Sequence, residues 1–250
     1  MCPDSDSLFS AQLPMEIPGQ LNAAERRIIT AAILESSKKP RVVLEVGTWL
    51  GGGSTLHFLN ALEKNKQGHL WGIEADKSIY DRMLANIRSA APDSMHRFTP
   101  LFGFSHKVIP EWLKQQGPDA TVDVVFLDGG NNPAEQIEEF QLLDPHIPIG
   151  GQLMAHDAKM RKAKWLLPYL CRLDNWQVQL HDVSEHGLIQ ARKIAFQPSA
   201  SSQRAANMSL LMMRCNPIEI AAAILPSKVC GFVLSLLPQR LAWRLSDGRG

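Results

Sequence analysis

Apolar and polar positions alternate along this chain in two rhythms, short apolar runs and longer stretches with helical spacing. Residues 42–46, Val-Val-Leu-Glu-Val, form a bounded run rich in β-branched residues, which predicts a buried strand. It stops at Gly47. A turn containing Gly51, Gly52 and Gly53 follows, and from Ser54 the pattern becomes helical to about Lys64. Further strands are expected at 69–74, 98–102, 122–127, 152–155, 176–180 and 188–196. Between them the spacing predicts a helix capped by Asp76 and running to about Arg88, and one over 105–113 that is tightened near Pro110. Two more fall at 133–143, with acidic residues toward its start, and at 162–173, bent at Pro168. Ahead of the first strand, Asn22 with Glu25 three residues on makes a capping box. The helix it opens has Ile28, Ile29, Ala32, Ile33 and Leu34 as its apolar face and ends near Lys38-Lys39-Pro40.

Strands alternate with helices from 41 to 173, which predicts an α/β fold: a doubly wound, Rossmann-like parallel sheet with helices on both faces. The last two strands follow each other with no helix between them, so one antiparallel edge strand is expected. Residues 1–40 read as an arm and leading helix, and 41–196 as the main domain. Residues 197–206, QPSASSQRAA, read as a linker, and 207–250 as an apolar helical tail. Within that tail 229–237 is strongly apolar, with Arg240, Trp243 and Arg244 beyond it. The first reading is that it docks on the domain or on a second subunit, which makes a homodimer plausible. The second is a membrane-surface contact through 226–245.

Composition narrows the function classes. The net charge is +1, so there is no electrostatic case for nucleic acid. The four cysteines are scattered without a C-x-x-C pair, which suggests neither a zinc site nor a disulfide framework and points to a reducing cytoplasm. Residues 1–19 carry Asp4, Asp6, Glu16 and three prolines without an apolar core, so no secretory signal is expected. No run of 18 apolar residues predicts a membrane span.

Ligands of such sheets bind at the carboxyl ends of the strands. The dinucleotide fingerprint fails, because Trp49 stands where its second glycine belongs, and no P-loop is present. What remains is E-x-G-x-x-x-G from Glu45 to Gly51, then Glu74 ending the second strand, then Gly103-Phe104-Ser105. The most specific pair is V-F-L-D-G-G at 125–130 and P-x-G-G-x-L-x-x-H-D at 148–157.

Together these segments resemble the class I S-adenosylmethionine-dependent methyltransferases, in particular the small-molecule O-methyltransferases related to the catechol, caffeoyl-CoA and antibiotic-sugar enzymes. The resemblance spans about 41–160. It implies S-adenosylmethionine as cofactor, held by Glu45, Gly47, Thr48, Gly51, Ser54, Glu74, Gly103, Phe104, Ser105 and Asp128. A carboxylate such as Glu74 suits the two ribose hydroxyls, since it only accepts hydrogen bonds. Ser105 is expected to cap its helix in addition. The triple glycine lengthens the turn relative to the family pattern.

Asp128, His156 and Asp157 are the candidate catalytic residues, and as two carboxylates and an imidazole at one mouth they are also candidate ligands for Mg²⁺ or another divalent cation. The histidine departs from the oxygen ligands of the metal-dependent relatives and suits a softer metal. Asn131 stands where many relatives have a histidine, so His156 becomes the nearest candidate base, with Lys159 second. A site without any base is the third option. The resemblance thus implies methyl transfer to a hydroxyl of a small molecule. The alternative is a non-catalytic or altered member that binds cofactor or a partner. Nucleobase N-methylation is disfavoured, because D-G-G-N-N-P replaces the [DN]-P-P-[YF] motif.

Overall fold

The computed structural model describes residues 17–215. The expectations for residues 1–16 and for the tail beyond 215, including docking and membrane contact, lie outside the described residues. Each predicted apolar run is a strand: β1 (Val42–Val46), β2 (His69–Glu74), β3 (Phe98–Phe102), β4 (Val124–Leu127), β5 (Gln152–His156), β6 (Trp176–His181) and β7 (Leu188–Lys193). They form one sheet in the order β3-β2-β1-β4-β5-β7-β6. β1 through β5 pair in parallel, and β7 runs antiparallel to both β5 and β6. The antiparallel strand therefore lies one place in from the edge, with β6 outermost. Connections leave β1 toward β2 and β3 on one side and, later, toward β4 and β5 on the other. This reversal makes the crevice between β1 and β4 the place where a ligand fits.

The helices follow from the same pattern. On one face α1 (Ala23–Leu34), α2 (Thr55–Asn65) and α3 (Lys77–Ala90) bury Ile29, Ile33, Phe58, Leu62, Met83 and Ile87 against Val43, Leu70 and Phe126 of the sheet. On the other face α4 (Ser105–Gln116), α5 (Pro133–Leu143) and α6 (Leu166–Leu170) cover Leu44, Val125, Leu127 and Leu153. Neighbouring strand residues thus feed opposite cores, as the two-residue period of a strand requires. Asn22 and Glu25 form the expected capping box of α1, which ends at Leu34, short of the lysine pair.

Three expectations are corrected. The linker at 197–206 is largely helical, since α7 (Ala200–Arg214) starts inside it. Ser199 caps that helix by accepting from the Ser202 amide, and Ala206 and Leu210 are buried. The Ser/Ala composition that resembles a linker is equally that of an N-cap followed by good helix formers. The helix expected over 162–173 is broken into a 3-10 turn, Arg161–Ala163, and the short α6, which holds Pro168. Ser105 does not cap α4; it is the first residue within that helix, and Phe104 occupies the cap position without a side-chain bond.

Two local features fix the turn after β1. Glu45 is fully buried, and its carboxyl accepts from the Ser54 hydroxyl and, at 2.8 Å, from the Thr55 hydroxyl at the start of α2. Burial pushes its pKa up to about 8, against the smaller opposing effect of those two hydroxyls. The triple glycine, in turn, is a crossing point of two backbones. A Cβ on Gly52 would stand 2.2 Å from the Ile17 carbonyl oxygen, and one on Gly19 would stand 2.4 Å from the Gly53 amide nitrogen. The extra glycine lets residues 17–20 lie directly on the turn.

Both features give measurable expectations. Gly52→Ala forces two backbones apart and lowers stability by roughly 1–3 kcal/mol in chemical denaturation. Gly53→Ala, whose Cβ would meet nothing nearer than 3.4 Å, loses clearly less. For Glu45, the unfolded chain releases its proton near 4.5 and the folded chain only near 8, so stability falls as pH rises through that window. Glu45→Gln cannot ionise. Relative to wild type it gains stability by roughly 1 kcal/mol per pH unit between pH 5 and pH 8, read from urea melts at the two ends.

Candidate active site

The parallel registers bring the ends of β1, β2, β4 and β5 to one level. Gly47, at φ +86°, leaves β1 so close to β4 that a Cβ would lie 2.5 Å from the Asp128 carbonyl oxygen. Beside this junction opens a cavity of about 960 Å³, a size suited to a nucleoside-bearing ligand. Gly47, Glu74, Gly103, Phe104, Ser105 and Asp128 line it, as the sequence predicts. Glu74 is held open at its rim: Oε2 accepts from the Trp49 amide at 2.9 Å, and Oε1 from the amides of Ala75 and Asp76 at 2.9 and 3.1 Å. Phe104 is an exposed ring stacked on His106, 5.8 Å between centroids.

Glu45, Thr48, Gly51 and Ser54 do not line the cavity. Glu45 and Ser54 hold each other beneath the glycine turn, and a Cβ on Gly51 would run into Ile87 of α3. Thr48 is buried against Gly72, and its hydroxyl has no partner among the described residues. These four shape the turn rather than face a ligand. Glu139, which sequence reasoning passed over as part of an acidic helix, does line the cavity. Burial pushes its carboxyl up to about 7, and a hydrogen bond from Ser105 works the other way.

A second cavity of about 490 Å³ adjoins the first and shares Gln20, Asn131 and Arg161 with it. Its walls bring together His156, Asp157, Lys162 and His186. Asp157 sits just past β5 at φ +58°, a left-handed conformation that aspartate tolerates. His156 is 1% exposed. Its Nδ1 lies 3.3 Å from Asp128 and 3.4 Å from Asp157, and its Nε2 lies 3.4 Å from Glu25 of α1. Burial pulls its pKa down, but the hydrogen bond and charge of Asp128, together with Asp157 and Glu25, outweigh it, and the net shift is upward. With both nitrogens facing carboxylates, His156 is poorly placed as a base for a bound acceptor.

No local pattern signals the cation that joins these carboxylates. Lys162 Nζ is 2.7 Å from Asp128 Oδ1 and 2.7 Å from Asp157 Oδ2. Burial opposes its charge, yet the two carboxylates together raise its pKa above the ordinary lysine value, and Asp157 is correspondingly lowered despite its own burial. His186 was also missed. It stands in the loop between β6 and β7, with its side chain 52% exposed, and its Nδ1 is 2.7 Å from Asp157 Oδ1. That loop is ordered by contacts a linear reading cannot show. The Ser184 hydroxyl donates to Glu25, the Asn22 side chain donates to the Val183 carbonyl, and Lys159 pairs with Asp182 and donates to the Ser184 carbonyl. Lys159, the second candidate base, is thus spent on holding the loop.

Residues 44–158 match a family model described as a methyltransferase domain. A protein provisionally named as an O-methyltransferase from Klebsiella pneumoniae superposes with a TM-score of 0.58 at 16% identity, over 72% of this chain and 84% of that one. Cofactor-bound Rv0187 from MTB gives 0.58 at 17% identity, over 71% and 84%. The O-methyltransferase from Bacillus cereus in complex with SAH gives 0.55 at 18% identity, over 70% and 82%. No curated protein matches the chain. At these identities the structural neighbours speak for the fold alone. The family match runs from Leu44 in β1 through β5, the elements whose ends build the larger cavity, so this part of the chain is similar to a methyltransferase domain.

Proposed function

We propose that the larger cavity binds S-adenosylmethionine and that the adjoining one holds the hydroxyl of a small-molecule acceptor. The observation that carries this reading is the Asp157–His186 pair beside the wall that the two cavities share. When bound, the cofactor supplies an electrophilic methyl group on a sulfonium. Glu74, already fixed by three amides at the rim, would accept from the ribose hydroxyls. Phe104 would cover one face of the base, and Glu139 would line the pocket beneath. With Nδ1–H donating to Asp157, His186 presents Nε2 as the acceptor for the proton of the substrate hydroxyl. Asp157 fixes that tautomer and stabilises the imidazolium that results, so the oxygen lone pair is available as the C–O bond forms and the C–S bond breaks.

Mg²⁺ or another divalent cation, expected on Asp128, His156 and Asp157, does not fit this mouth as it stands. Lys162 already bridges both carboxylates, so no step is assigned to a metal. Among the described residues no helix is long and apolar enough to cross a membrane. Met208, Leu211 and Met212 leave an exposed apolar face on α7, which is compatible with a homodimer. Cys171 and Cys215 are free thiols, which suits a reducing cytoplasm.

The reading is tested by calorimetry and by transfer. S-adenosylhomocysteine binds the wild type in the micromolar range, about −8 kcal/mol, and Glu74→Ala loses that binding. A folded wild type that binds none sinks the proposal. In a transfer assay over phenolic and sugar hydroxyl acceptors, His186→Gln lowers kcat by ~10²–10⁴-fold while S-adenosylhomocysteine affinity stays within a few-fold of wild type. An unchanged kcat would remove His186 from the chemistry.

A further inference from the structure

Asp128, His156 and Asp157 each offer a ligand atom, and those atoms lie within 4.8 Å of one another. Judged by residue types, this is a divalent-cation site. Both carboxylates of that set are nevertheless already engaged by a cation of the chain itself. Lys162 Nζ makes 2.7 Å contacts to one oxygen of each aspartate and lies 3.5 Å from the Gly129 carbonyl. A hard divalent ion would need the same oxygens at roughly 2.0–2.6 Å. The ammonium and the ion cannot share that space.

Lys162 is not a surface lysine that has drifted inward. It is 4% exposed, and it sits in the Arg161–Ala163 turn, whose Ala163 is packed in the core beside α5. A buried ammonium is tolerated only with close partners, and two carboxylates drawn to one point need a cation just as much. Several charged groups surround it. Asp128 and Asp157 touch it directly, Glu139 contributes at longer range, and His156 and His186 flank the same carboxylates from either side.

We propose that Lys162 is a tethered replacement for the divalent cation: it clamps Asp128 to Asp157 at the acceptor pocket and excludes metal from that mouth. Two of its N–H groups are engaged with the aspartates and the third faces the Gly129 carbonyl, so it is a positioning residue. Through the clamp it holds Asp157 at the distance from which that carboxylate orients His186. A cation covalently attached to the chain needs no loading and cannot be removed by chelation. The inference takes the methyltransferase reading as the purpose of this mouth, but its test does not depend on it.

The test is a titration of the full chain with Mn²⁺, followed by the loss of the free-ion electron paramagnetic resonance signal. S-adenosylhomocysteine binding is measured in parallel as a check of the folded mouth. Wild type is expected to take up no stoichiometric Mn²⁺. Lys162→Met should bind one equivalent at least tenfold more tightly than wild type, and adding Asp128→Asn should abolish it. Lys162→Gln carries the same comparison if the methionine variant does not fold. Stoichiometric Mn²⁺ binding by wild type that Asp128→Asn removes would overturn the proposal. So would a folded Lys162 variant that gains no Mn²⁺. If folded wild type fails to bind S-adenosylhomocysteine, the functional reading falls and the Mn²⁺ comparison still decides the role of Lys162.

Discussion

No side chain can stand at position 47. The backbone leaving β1 passes within contact of the Asp128 carbonyl leaving β4, and this close approach sets the geometry of everything at the mouth. Because β1 is parallel to both β2 and β4, its end fixes the height at which Glu74 and Asp128 emerge. β5 adds His156 and Asp157 at the same height through its own parallel pairing with β4. The level at which the strands stop thus determines that a neutral glycine turn, the Glu74 carboxylate and an acidic cluster emerge side by side.

The cluster brings an electrostatic problem, since Glu25, Asp128 and Asp157 all approach one imidazole. Glu25 is buried and the two aspartates are only partly exposed, so neighbouring cations and donors offset much of their charge. Lys162 bridges two of the carboxylates and His156 lies against all three, while the Ser184 hydroxyl and the Asn22 amide satisfy the oxygens of Glu25. Charge neutralisation and pocket shape are here one structural task. The same groups that balance the charge hold the loop that presents His186.

Most of the strands were legible in the sequence because they are short runs rich in apolar and β-branched residues, set off by polar residues or glycine. Residues at strand ends were legible for the same reason, since the end of a strand is a local property: Glu74, Asp128 and the pair His156-Asp157 are where the pattern puts them. Position at a strand end does not say whether a side chain faces the cavity or packs beneath the turn, however. Glu45 and Ser54 therefore lie under the turn instead of in the cavity it borders. Lys162 and His186 carry no local signal at all. They come from a 3-10 turn and an irregular loop, and their meaning arises only when the chain closes on itself. The Ser/Ala stretch before α7 went the other way, because capping and flexible linking use the same residues and only the burial of Ala206 and Leu210 distinguishes them.

The tie between α1 and the loop following β6 has a mechanical consequence. Asn22 holds the Val183 carbonyl and Glu25 holds Ser184, so two segments some 160 positions apart are tied together behind Gln20, Glu185 and His186, which line the smaller cavity. Replacing either one removes the partner that orders the other, so the two are mechanically one unit, whereas the larger cavity is bordered by strand ends that the sheet itself holds.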